Sequence, residues 1–286
     1  MKPLKRVLIV VLALLLVAGL GAGGLWLYFT LRKEPLPFTE RCTASVQGHN
    51  TNLSVEQAYY SGIIAGLSIR RELKPRAASI ALATAYQESG IRNLDYGHSD
   101  SIGLFQQRPS MGWGSIEEIL DPWYSSKQFY KALVRVKNWD TKDINDAAQA
   151  VQRSGFPQAY RKHESNARAL ASSLTGETPA AFTCALGPAS SSDLAGMKKY
   201  LTKTFGKTAQ VLETETDEQP TLTVRADSVD HGWAVAQIAI AAASEYGVES
   251  VSYGEAKWQR ASATALGWSG SFPEAKTDIV LGFAHG

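Results

Sequence analysis

Apolar and polar positions follow three different rhythms along this chain. Residues 7–31 carry no charge, a run of 25 residues that is long enough to cross a bilayer core of about 30 Å as one helix. From residue 54 the spacing turns helical: 55–73 repeats its apolar positions every three to four residues behind Ser54, a candidate N-cap, until Pro75 interrupts. A second helix is predicted over 76–88, further ones over 123–136 behind Asp121-Pro122, 145–153 and 160–174. Between them, 93–115 is dense in Gly, Ser, Asp and Asn and reads as a loop region lining a cleft. After a Gly-Pro-Ala-Ser-Ser-Ser linker (187–192) the rhythm changes again. Strand-like alternation over 221–225, 248–253 and 279–283 surrounds one alanine-rich helix, 232–246.

These elements predict a mainly α domain with a single N-terminal transmembrane helix and a small α+β C-terminal domain. The expected boundaries are a cytoplasmic tail 1–6, an anchor 7–31, a tether 32–41 with Pro35 and Pro37, a helical domain 42–184, a linker 185–195 and the α+β domain 196–286. Lys2, Lys5 and Arg6 before the apolar run place the N-terminus in the cytoplasm and the bulk outside. The rival reading is a signal peptide cleaved near residues 19–24, giving a secreted protein.

Charge sharpens this picture. Residues 1–34 hold five Lys/Arg and one acid, and the remainder holds 24 basic and 26 acidic residues. The basic character therefore belongs to the flanks of the apolar run. No basic stripe is available to neutralise phosphates, which argues against a nucleic-acid partner. Cys42 and Cys184 bracket the helical region, and in an oxidising compartment a disulfide between them ties its entry to its exit; two free thiols are the alternative. No Cys-x-x-Cys or His-Glu-x-x-His occurs, so no metal is expected, and no phosphate or dinucleotide loop calls for a cofactor.

The chemistry concentrates between Glu88 and Gln106. At 3.6 residues per turn, Ala81, Thr84 and Ala85 share a helix face with Glu88. A carboxyl group at the end of a small, mostly apolar face is partly desolvated, which favours the neutral form that a general acid needs. Gly103 brings backbone close, and Gln106 adds an orienting amide.

Glu88-Ser89, roughly a dozen variable residues and then Gly103-Leu104-Phe105-Gln106, 18 positions from glutamate to glutamine, resembles the lysozyme-like superfamily and most closely its lytic transglycosylases. The extension from Gln107 through Gly114 is similar to that of an actinobacterial subgroup. The resemblance spans about 55–174 and implies cleavage of peptidoglycan glycan strands, with Glu88 as acid and base. Ser89, Gly103, Leu104, Gln106, Gln107 and Gln152 are the candidates for binding or orienting substrate, joined by Trp113 and Tyr160. These two, with Trp123 and Tyr124, are aromatics with rings available to stack on sugar, core packing being the alternative. Where the family carries Ala-Tyr-Asn-Ala-Gly, this chain has Ala150-Val151-Gln152-Arg153-Ser154: Gln152 replaces one amide by another, while Val151 removes a hydroxyl and a ring.

A hydrolase would need a second carboxylate, Asp100 or Asp95, whereas a transglycosylase works with one. Both aspartates are also ordinary turn formers. A non-catalytic glycan-binding or scaffold protein of the same shape is the competing class. The segment from His231 to Tyr253 resembles a C-terminal domain of some actinobacterial secreted wall proteins. Those end in two closely spaced histidines and this chain has only His285 there, so a wall-protein partner is expected of it and no metal or peptidase activity.

Overall fold

The computed structural model describes residues 14, 16, 17, 19–21, 23, 24, 38–214, 220–262 and 267–284. Residues 1–39 and 40–286 form two units, and the described residues of the first are helical from 14 to 24.

The second unit opens with a hairpin. Strand β1 (Arg41–Val46) turns through Gln47 and Gly48, both at positive φ (50° and 80°), into β2 (His49–Leu53). Two consecutive left-handed residues give a turn whose twist matches that of paired strands. Strand β3 (Phe182–Ala185) adds to the other edge of β1, giving the antiparallel order β2-β1-β3 with Cys42 directly opposite Cys184. A disulfide joins the two cysteines.

Helices follow with their caps legible in the sequence. Helix α1 (Val55–Arg70) starts at Ser54, whose hydroxyl accepts from Gln57 N while the Gln57 side chain returns to Ser54 N. Helix α2 (Pro75–Ser89) has Pro at its first turn and stops at Gly90, left-handed at φ 66°. Then come α3 (Ile116–Leu120), α4 (Pro122–Leu133) capped by Asp121, α5 (Ile144–Gln152) capped by Asp143, and α6 (Glu164–Leu174).

After β3 the chain forms α7 (Leu194–Phe205), β4 (Ala209–Thr214), β5 (Thr221–Ala226), α8 (Val229–Ala241), α9 (Ala243–Tyr246), β6 (Val248–Tyr253), β7 (Ala256–Gln259) and β8 (Ile279–Phe283). The five strands make a second antiparallel sheet in the order β4-β5-β8-β6-β7.

Helix α8 explains how the parts hold together. It is apolar on nearly all sides, as a helix must be when every face meets protein, and Gly232 through Ala241 are all buried. It packs against α1 and α6 on the helical side and against β3, β5 and β6 on the strand side. Its one buried polar side chain, Gln237, donates to the carbonyls of Ser173 (2.6 Å) and Thr178 (3.2 Å) and accepts from Phe182 N (2.8 Å). Trp258 and Trp268 add indole donors to Thr183 Oγ1 (3.0 Å) and Phe182 O (3.1 Å). Residues 187 and 189 are also held: Gly187 and Ala189 donate to Glu40 and Glu249, and Arg260 donates to Gly187 O.

Two expectations are corrected. The chain is not mainly helical: about 45% is helix and 18% strand, in two antiparallel sheets, one of which lies within the region read as helical. Strands β1 and β2 are short and polar, and their third partner arrives some 140 residues later, so no local periodicity announced the sheet. Nor is a membrane-spanning helix found: among the described residues no helix is long and apolar enough to cross a membrane. The anchor expected at 7–31 falls mostly on residues outside those described, as does His285.

Candidate functional site

Helix α2 delivers Glu88 in its last turn. Ala81, Thr84 and Ala85, one and two turns earlier, are fully buried, and Thr84 returns its hydroxyl to Ile80 O at 2.8 Å. Glu88 itself is half-buried. The buried Tyr160 hydroxyl donates to Glu88 Oε1 at 2.7 Å, and the Gln152 amide also hydrogen-bonds the carboxyl. Burial raises the Glu88 pKa above the ordinary carboxyl range, and the two donors partly offset this by favouring the charged form. Burial, then the adjacent Glu88 charge, pushes the Tyr160 phenol up as well, so it stays a donor.

The loop after α2 is locked onto this carboxyl by main-chain contacts. Ser89 Oγ donates to Leu104 O at 2.8 Å and accepts from Arg92 N at 3.2 Å. Gln152 Nε2 donates to Phe105 O at 2.8 Å, so one side chain touches both the acid and the loop. Ile102 and Gln107 pair as an antiparallel bridge that folds 102–107 into a tight turn. Phe105 anchors that turn by stacking on Phe129, with centroids 4.6 Å apart.

Gly103 sits at φ 77°, and a Cβ there would come within 3.0 Å of Ile119 O; close approach is its role. Gln106, left-handed at φ 46°, donates Nε2 to Tyr96 O (3.2 Å) and to Gly103 O (3.4 Å). Gly97 makes that placement possible, because a Cβ there would stand 1.9 Å from Gln106 Oε1.

Not every residue assigned to substrate is placed to touch it. Leu104, Gln107 and Tyr160 are buried, and Gln107 Nε2 donates inward to Ser125 O at 3.2 Å. Trp113 is half-buried and lines an open groove of about 540 Å³ with Gln106, Arg108, Arg135, Val151 and Gln152. Gln152 is the link between this groove and Glu88. Asp95 is exposed. Both oxygens of Asp100 are engaged, Oδ1 by Arg108 Nε (2.6 Å) and Oδ2 by Ser110 N (2.8 Å). These donors hold its carboxyl well below the usual range, which makes it a weak base. Trp123 packs away from the groove: its indole donates to Thr204 Oγ1 at 3.0 Å and Lys203 lies over its ring.

Sequence reading named Tyr160 as a ring for stacking on sugar and missed its hydroxyl. It also missed the Phe105 carbonyl and Gly97. A tyrosine hydroxyl reaches the acid after all, from position 160, although the chain carries Val151 at the position where the resemblance expects tyrosine. Only the fold brings Tyr160 there, across 72 residues. Among the described residues no group of three or more His, Cys, Asp or Glu is placed to hold a metal ion. Compared with known proteins, the chain matches no family model and no curated protein.

Proposed function

We propose that this protein cleaves peptidoglycan glycan strands between N-acetylmuramic acid and N-acetylglucosamine, outside the cytoplasm, in the manner of a lytic transglycosylase. The observation that carries the reading is the Glu88 carboxyl: half-buried, raised in pKa, oriented by two uncharged donors and linked through Gln152 to an open groove. A carboxyl pKa raised by burial shifts the group toward the protonated form that a general acid needs. In this mechanism Glu88 gives its proton to the glycosidic oxygen as the C1–O bond breaks. The resulting carboxylate takes the proton of the muramoyl C6 hydroxyl, whose oxygen attacks C1 and closes a 1,6-anhydro ring. No water and no second carboxylate are consumed. The occupied state of Asp100 supports this over hydrolysis, which would need a base on the opposite face. The disulfide supports an oxidising, extracytoplasmic setting.

The test is mass spectrometry of soluble products after incubating purified peptidoglycan with the full chain, wild type beside Glu88→Gln. Anhydro-muropeptides from the wild type alone are expected. Reducing-end muropeptides would assign a hydrolase instead. No release by either protein, with both still pelleting with the wall, would replace the enzyme by a glycan-binding scaffold.

A further inference from the structure

A second cleft, of about 550 Å³, lies at the other end of α2. It is bounded by the β1–β2 turn, the first turn of α2 and the exposed side of α6, and its polar lining includes Arg76, Arg168, His49, Ser79, Ser165 and Glu177. Arg76 is half-buried, and among the described residues its one hydrogen-bond acceptor is the Lys142 carbonyl, reached by Nη2, while its Nε is buried without one; the Asp140 carboxylate acts on it only through space. Among the described residues no carboxylate forms an ion pair with Arg76. Arg168 has only Glu164 Oε2 at 4.0 Å, and that carboxylate also faces Arg161 at 3.7 Å. A half-buried guanidinium without a paired carboxylate is costly, and the exposed Arg168 guanidinium on the same cleft adds to its positive charge. The first turn of α2 has no side-chain cap, so its amide dipoles add to the positive field.

We propose that this cleft is a binding site for a carboxylate-bearing ligand of peptide-like chemistry, gripped by Arg76 and Arg168. Planar guanidinium forks match a planar carboxylate in two-point contact. The Glu177 carboxylate on the wall sets an upper limit to the negative charge that is tolerated. It disfavours a phosphate dianion and suits a monoanion. The serine hydroxyls offer donors and acceptors to the amide next to such a group. The site does not depend on the reading of Glu88: twelve residues of helix, about 18 Å at 1.5 Å per residue, separate Arg76 from it.

The experiment is residue-resolved arginine labelling of the full chain with phenylglyoxal, read by peptide mass spectrometry. N-acetylglycine, inorganic phosphate or chloride is added at equal ionic strength, with the exposed Arg41 as internal control. N-acetylglycine is expected to protect Arg76 and Arg168 with one shared half-protecting concentration and to leave Arg41 unprotected. In Arg168→Gln, which removes an exposed side chain and spares the core, the concentration protecting Arg76 should rise at least about tenfold. Protection no better than by chloride, protection of one arginine without the other, or an unchanged value in Arg168→Gln would overturn the site. Phosphate protecting at an equal or lower concentration than N-acetylglycine would overturn the carboxylate assignment.

Discussion

The two ends of helix α2 carry opposite electrostatics on one scaffold. At its C-terminal end a carboxyl sits among uncharged donors, next to the negative pole of the helix; at its N-terminal end two arginines flank the positive pole. Burial does different work at each. Around Glu88 it raises the carboxyl pKa and so favours the neutral form. Around Arg76 it leaves a half-buried guanidinium whose charge calls for a partner from outside. An acid and a guanidinium thus answer the same desolvation in different ways, the first by shifting toward its neutral form and the second by binding.

The largest expected effect comes at the acid. Glu88→Gln keeps shape and hydrogen-bonding capacity but removes the transferable proton, so the rate of muropeptide release should fall about 10²–10⁴-fold while wall binding persists. A residual rate near that of wild type would show that the two ends differ in polarity without differing in chemistry.

Second in size is the disulfide. Replacing Cys42 and Cys184 by Ser should lower unfolding free energy by about 2–5 kcal/mol in a urea titration. Because β1 supports one cleft and its partner β3 packs on α8, protection of Arg168 by N-acetylglycine and activity at Glu88 should be lost at the same urea concentration. Separate transitions would mean that the two ends are not parts of one cooperative unit.

Gly97→Ala comes next. The added methyl cannot coexist with the Gln106 carboxamide as placed, so release should drop about 10–100-fold, the cost typical of misplaced orienting groups. The Arg76–Arg168 cleft should label as in wild type. Tyr160→Phe is smaller: loss of the 2.7 Å hydrogen bond should cost about 0.5–1.5 kcal/mol of stability. It also removes a donor that favours the carboxylate, so the Glu88 pKa rises further, and the alkaline fall in the rate profile should move to higher pH.

The smallest effect is on stability against pH. Folding raises the Glu88 pKa above its unfolded value, so the folded state binds the proton more firmly. The contribution is complete below the unfolded pKa and is lost as pH rises through the folded one. Glu88→Gln should therefore gain stability relative to wild type between acidic and neutral pH in denaturant titrations. A constant difference across that range would break the contrast with the permanently charged end.

How much of the fold and of the site was legible in the chain depends on sequence distance. The helix with Glu88, the caps at Ser54 and Asp121, and the strands near 221, 248 and 279 follow from contacts within a few residues. They could be read from side-chain periodicity and capping chemistry alone. The Cys42–Cys184 pairing was legible for another reason, since two cysteines allow one bond. The first sheet was not, because β1 meets β3 only after the whole helical region has folded between them.

The amino-acid sequence by itself determined where the acid stands, which small residues flank it and how its helix ends, since those are local consequences of propensity and spacing. Only the tertiary structure decided that Tyr160 would spend its hydroxyl on Glu88, that Asp100 would be taken up by Arg108, and that Arg76 and Arg168 would share one cleft. Each of these depends on packing elements far apart in the chain, where burial and partner geometry, which no local pattern encodes, set the energy of every polar group.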